Sequence, residues 1–141
     1  MAKIFVIDDD PELLMMVGMI LRRAGHETVL ASDSVDGSDR VIDEEPELLI
    51  LDLMMPHMSG FEVCRKIRAS TAAHIPIMIL TARIQESDRE AAFEAGASDY
   101  MTKPITSRQL TSRVKRLLEK SARVPERVTD TGRLELLPAS P

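Results

Sequence analysis

Five short apolar runs punctuate the chain, and each is followed by a stretch in which apolar residues recur at helical spacing. The runs are Lys3–Ile7, Glu27–Ala31, Leu48–Leu51, Ile77–Leu80 and Ala97–Met101. Lys3–Ile7 is rich in the β-branched and aromatic residues that favour strands. Leu48–Leu51 and Ile77–Leu80 are wholly apolar, the mark of strands buried on both faces, as in a parallel sheet covered by helices. Helical spacing follows in Leu13, Val17, Ile20, Leu21 and Ala24, then in a weaker segment from Ser34 to Glu45 carrying Val41 and Ile42. It returns in Phe61 to Ala69, with Phe61, Cys64, Ile67 and Arg68 along one side, in Ser87 to Ala95, and in Ser107 to Ala122. The last of these carries a stripe of Leu110, Val114, Leu117 and Leu118. Strand and helix alternate throughout, which predicts an α/β fold with a doubly wound parallel sheet.

Punctuation residues set the boundaries. Asp10 is placed to cap the first helix, with Pro11 at the first helical position, where its missing N–H costs nothing. Gly25 closes that helix, Pro46 stops the second, and Gly96 suits the left-handed end of the fourth.

At 141 residues the chain has room for one domain with a sizeable core. A net charge of -5 leaves no broad basic surface for coating nucleic acid, so no direct nucleic-acid binding by this chain is expected. The apolar start turns acidic too soon for a signal peptide, and no stretch approaches a membrane span, so a cytoplasmic location is the default. Cys64 stands alone, and neither it nor His26, His57 or His74 shows zinc-ligand spacing. His57 reads as a solvated loop residue, and His26 and His74 have no evident partner.

The candidate chemistry gathers where the strands end. In open α/β sheets the crevice at the carboxyl ends of the strands is where ligands bind. Asp52 follows the third run and is exposed to that crevice; Asp8, Asp9 and Asp10 follow the first. The acidic triplet reads either as helix capping, since acids favour a helix N-terminus, or as a metal site, since crowded carboxylates repel unless a cation intervenes. Thr81 ends the fourth run and reads either as a turn residue or as a hydroxyl in the same crevice. Lys103, before Pro104, reads either as a surface charge or as a cation facing the carboxylates, able to hold an anion there. Proline restricts the residue before it to extended backbone, which favours the second reading.

Together, Ile7-Asp8-Asp9, Leu51 to Pro56, Leu80-Thr81-Ala82, Tyr100 and Lys103-Pro104 resemble the receiver domain of two-component response regulators. Each motif is weak alone; five in this order at the ends of the strands are specific. The resemblance covers about Lys3 to Lys120 and implies a flavodoxin-like fold of five strands, order 2-1-3-4-5, with five helices. It implies that Asp52 is the phosphoacceptor for a sensor histidine kinase or phosphotransfer protein. The implied cofactor is Mg²⁺, ligated by Asp9, Asp52 and the Met54 main-chain carbonyl, with Asp8 acting largely through water. Lys103 and Thr81 would contact the phosphoryl group, joined by the Ala82 N–H. Tyr100 would be the switch aromatic, turning inward into space vacated by Thr81. Such a protein is no enzyme beyond its own phosphotransfer and autodephosphorylation.

The output face implied by the resemblance is the fourth helix, fifth strand and fifth helix. Basic Arg108, Arg113, Lys115, Arg116 and Lys120 on the fifth helix, against acidic Glu90, Glu94 and Asp99, read either as solvated charge or as a homodimer face. Met54 and Arg83 each lie two residues beyond a motif residue, and neither would orient a hydrolytic water, which predicts a phosphoaspartate lasting minutes or more. The receiver is expected over residues 1–122. Residues 123–141 are expected to be a flexible tail, with Thr131–Pro138 as an edge strand, or the start of a truncated output domain. Two other readings stay open: a phosphorylation-independent pseudo-receiver module, and a metal-dependent phosphatase or hydrolase, which lacks a separate general base.

Overall fold

The structure, a computed structural model, describes residues 1–122. Among the described residues ten elements alternate: β1 (Lys3–Ile7), α1 (Pro11–Arg23), β2 (Glu27–Ala31), α2 (Ser34–Glu44), β3 (Leu48–Leu51), α3 (Gly60–Arg68), β4 (Ile77–Thr81), α4 (Glu86–Ala95), β5 (Asp99–Thr102) and α5 (Ser107–Ala122). All four strand pairings are parallel, in the order β2-β1-β3-β4-β5. This is the expected doubly wound fold.

The two-residue period of a strand divides the core. Phe5, Ile7, Leu49, Leu51, Ile77, Ile79 and Tyr100 point to the side covered by α2, α3 and α4. Ile4, Val6, Leu48, Ile50, Met78, Leu80 and Met101 point to the side covered by α1 and α5. Every residue of β3 and β4 is buried, as a central strand between two helical layers requires.

Caps fall where the sequence puts them. The Asp10 carboxylate accepts from the Glu12 and Leu13 N–H groups with Pro11 at the first turn, and Gly96 ends α4 at φ 117°. The phase of α1 differs from expectation. Leu14, Val17, Gly18 and Leu21 are the buried set, while Leu13 and Ile20 are half-buried and Ala24 is exposed. Gly18 explains the shift: a Cβ there would stand 3.1 Å from Leu30 Cδ1, so the helix packs through its glycine against β2. In α3, Val63 is buried beside Cys64 and Ile67, and Phe61 is half-buried. Strand β5 begins at Asp99, two residues beyond the expected start, because the Ala97 N–H still closes α4 on the Ala92 carbonyl. Leu118 is half-buried, outside the fully buried Leu110, Val114 and Leu117.

Two histidines have partners that the sequence did not suggest. His74 Nε2 lies 3.6 Å from the Glu45 carboxylate. His26 Nδ1 accepts from the Ala2 N–H at 3.2 Å. Burial, and secondarily the terminal ammonium, lower the His26 pKa below its ordinary value of 6.5. A depressed histidine pKa means the unfolded chain binds the proton more readily, so the stability it contributes is complete above 6.5 and is lost as pH falls through that value. Thermal melts at about pH 7.5 and about pH 5.5 should therefore show a smaller acid-induced loss in His26→Gln than in the unsubstituted chain; equal losses would remove His26 from the account.

Candidate functional site

Four strand ends build one crevice. Asp8 leaves β1 buried at 2% exposure, Asp52 leaves β3 at 7%, and Thr81 closes β4 fully buried. Lys103 directly follows β5 and is joined to Pro104 by a cis bond. Backbone hydrogen bonds extend the sheet to these residues: Asp8 N–H donates to the Ala31 carbonyl at 3.1 Å, Asp52 N–H to Ile7 at 3.1 Å, and Lys103 N–H to Thr81 at 2.8 Å. The functional side chains thus sit on the rigid end of the sheet, where their spacing is fixed by strand register.

Carboxylate oxygens of Asp8, Asp9 and Asp52 lie within 4.8 Å of one another. Lys103 Nζ bridges two of them, at 3.0 Å from Asp8 Oδ2 and 3.4 Å from Asp52 Oδ2. One oxygen of each buried acid is fixed by backbone: Asp10 N–H donates to Asp8 Oδ1 at 2.9 Å, and Leu53 N–H to Asp52 Oδ1 at 2.7 Å. Burial raises the Asp8 pKa, opposed by the Asp10 N–H and Lys103 and reinforced by the charge of Asp52. Burial by itself would lower the Lys103 pKa, and the bond to Asp8 with the charge of Asp52 overrides it and raises it. Asp8 therefore resists ionisation while the Lys103 ammonium is held in place. Three hard oxygen donors converging in that state fit a divalent cation of the Mg²⁺ type.

The surrounding residues are placed as follows. Thr81 Oγ1 accepts from the Arg83 N–H at 3.3 Å, which leaves the hydroxyl proton free to donate. Ala82 is exposed at the mouth, and Met54 is 53% exposed on the opposite lip. Tyr100 is buried, its hydroxyl donating to the Arg83 carbonyl at 2.9 Å. His57 is exposed in the loop between β3 and α3, as expected.

The contacts of three residues, Gly60, Arg68 and Asp88, do not show in the sequence pattern. Gly60, at the first turn of α3, donates its N–H to the Leu53 carbonyl and lies against the backbone of Asp52. Arg68 sends its guanidinium to the Gly96 carbonyl at 2.9 Å, the Ala73 carbonyl at 2.7 Å, the Ile75 carbonyl and the Ser98 hydroxyl. Asp88 holds Arg83 in a two-pronged ion pair. The Arg83–Asp88 spacing of five residues across a helix start gave a local signal; of the partners of Arg68, Ala73 and Ile75 are near in sequence and Gly96 and Ser98 are remote.

A parallel sheet in this order, covered by helices on both faces and carrying an acid triad and a bridging lysine at its carboxyl edge, is a doubly wound α/β sandwich with a polar crevice at that edge. The family model described as response regulator receiver domain matches residues 4–115, and the chain belongs to that family. It is 36% identical over 144 residues to the DNA-binding dual master transcriptional regulator RpaA of Synechocystis sp., covering 98% of this chain and 60% of that protein. A response regulator receiver domain from Clostridium thermocellum superposes with a TM-score of 0.82 at 28% identity, covering 89% of this chain and 100% of that one. The receiver domain of sensor histidine kinase PA1611 from Pseudomonas aeruginosa PAO1, solved with a magnesium ion coordinated in its active site cleft, gives 0.78 at 26% identity, covering 84% and 98%. The chain spans 60% and 49% of the lengths of the first two curated relatives it matches. Among the described residues no helix is long and apolar enough to cross a membrane.

Proposed function

We propose that this receiver is a phosphorylation-activated switch in which Asp52 accepts a phosphoryl group from a sensor histidine kinase or phosphotransfer protein. The observation that carries the reading is Lys103 Nζ lying between Asp8 and Asp52 while Asp9 completes the acid cluster. Asp8, Asp9, Asp52 and the Met54 main-chain carbonyl would hold Mg²⁺, which when bound supplies positive charge against the meeting of two anions. The chain's own residues do the rest. Leu53 N–H anchors one Asp52 oxygen and so sets the direction of the other. That carboxylate attacks phosphorus, the phosphorus–nitrogen bond to the donor imidazole breaks, and the departing ring recovers a proton from solvent. Lys103 then exchanges a carboxylate for a phosphoryl oxygen, Thr81 donates its free hydroxyl proton, and the Ala82 N–H stands at the mouth as a further donor.

The output lies on the α4-β5-α5 face. Tyr100 is held inward on the Arg83 carbonyl, which supports reading it as the switch aromatic of that face. A homodimer through this face is part of the proposal, with one change from the sequence reading. Asp99 is engaged within its own chain, bidentate to Arg113 at 2.9 and 2.8 Å and 3.8 Å from Arg116. Arg108 and Lys115 line a groove with Ala24 and His26 on the α1 side of α5, which leaves exposed Lys120 with Glu90 and Glu94 for an intermolecular contact. We assign the receiver to residues 1–122 and read 123–141 as a tail or the beginning of an output domain; the edge strand expected at Thr131–Pro138 lies outside the described residues. RpaA is named as DNA-binding, and a DNA-binding output for the whole protein would reside beyond the receiver. A pseudo-receiver would have no use for a half-buried lysine bridging two acids, which disfavours that reading.

Incubation with Mg²⁺ and a small acyl phosphate tests the reading: one added phosphoryl group by intact mass, absent with a chelator, is expected. With Met54 and Arg83 at the lips, the modified form should persist for minutes; phosphate release within seconds, in a time course without phosphatase, would refute that lifetime.

A further inference from the structure

Arg83 joins four parts of the crevice. Its Nε and Nη2 grip Asp88 at 2.9 and 3.0 Å. Its Nη1 crosses the mouth to Met54 Sδ at 2.9 Å, its N–H reaches Thr81, and its carbonyl receives Tyr100. Met54 stands two residues beyond Asp52, so the guanidinium already spans the opening through which a phosphoryl group would project. A thioether is a weak acceptor. The Nη1 edge thus faces a partner that a phosphoryl oxygen would outcompete, and a guanidinium fork matches phosphate geometry.

The start of α4 shows what that competition would release. Helices α1, α2 and α3 are capped by the side chains of Asp10, Asp33 and Ser59, whereas Gln85 at the start of α4 makes no side-chain cap bond. The first turn of α4 is held instead through Asp88, 13% exposed, paired with Arg83.

We propose that Arg83 is a second phosphoryl-binding cation, parked on Asp88 and Met54 and drawn onto the phosphoryl group when Asp52 is modified. The proposal rests on the phosphoacceptor reading of Asp52. A phosphoryl group carries roughly one and a half to two negative charges against one on Asp88, so it can take a share of the guanidinium. Arg83 then ties charge in the crevice to the first turn of α4 and, through its carbonyl, to Tyr100. Asp88 is a positioning residue: it holds Arg83 back.

A purely structural ion pair and this latch predict different signs. Binding of beryllofluoride, a tetrahedral mimic of a carboxyl-bound phosphoryl group, is measured by calorimetry at saturating Mg²⁺. Arg83→Met should weaken it about tenfold, the loss of one charge-assisted hydrogen bond. Asp88→Asn should tighten it by about threefold, since Arg83 no longer has to leave a charged partner. The double variant should match Arg83→Met, and Arg83→Lys should fall between the wild type and Arg83→Met. Weakening by both single variants, or no change in either, overturns the latch while leaving the phosphoacceptor reading intact. No binding by the wild type overturns both, and melting curves of each variant identify any that fail to fold.

Discussion

Gly60→Ala is expected to cost about 3 kcal/mol or more of stability, above the usual range for an added methyl group, because the obstacle is backbone. A Cβ at Gly60 would overlap the Asp52 carbonyl oxygen and stand 2.7 Å from Leu53 Cα. Neither atom can rotate away as a side-chain tip could. The Gly60 N–H to Leu53 carbonyl bond at 2.9 Å holds the start of α3 against the end of β3, so relief requires separating the two. That separation moves the backbone that aims Asp52, and phosphorylation should fall along with stability. Urea denaturation measures the first effect and intact mass the second. A loss below about 1 kcal/mol would show that the helix start is free to shift.

Arg68→Met should be comparably severe, at about 3 kcal/mol. Burial lowers the Arg68 pKa, and the nearby Cys64 only partly offsets this. Among the described residues the guanidinium pairs with no carboxylate; it is held by the Gly96, Ala73 and Ile75 carbonyls and the Ser98 hydroxyl. These link the end of α3 to the connection before β4 and to the turn from α4 into β5. Methionine fills similar space but leaves carbonyl oxygens without donors, the costly outcome for a buried acceptor. Arg68→Lys should restore only a part, since a single ammonium cannot serve three directions at once. Equal urea midpoints for Arg68→Met and wild type would contradict this.

Much of the architecture was legible because each level of the sequence agreed with the next. Wholly apolar runs gave the central strands, Asp10-Pro11 and Gly96 gave helix ends, and the polar residue after each run pointed to one edge of the sheet. Asp8, Asp9, Asp52, Thr81 and Lys103 could be assembled from those positions alone, since parallel strands bring their ends together. Packing details were not legible in the same way. The phase of α1 turned on a glycine seated against Leu30, a contact between elements that helical periodicity does not encode. Arg68 looked like one flank of a helix, and its role appears only when the Gly96 carbonyl, 28 residues away, arrives beside it. Asp99 looked available to a partner until Arg113 closed on it from α5.

If Asp52 is the phosphoacceptor, its carboxylate is the group that becomes modified, and mass spectrometry reads this. Wild type and Asp52→Asn are each incubated with Mg²⁺ and a small acyl phosphate, and intact masses are compared. Asparagine keeps the shape of the side chain and cannot form the acyl phosphate. One added phosphoryl group is expected on the wild type and none on Asp52→Asn. Equal modification of both, or none on the folded wild type, would contradict it.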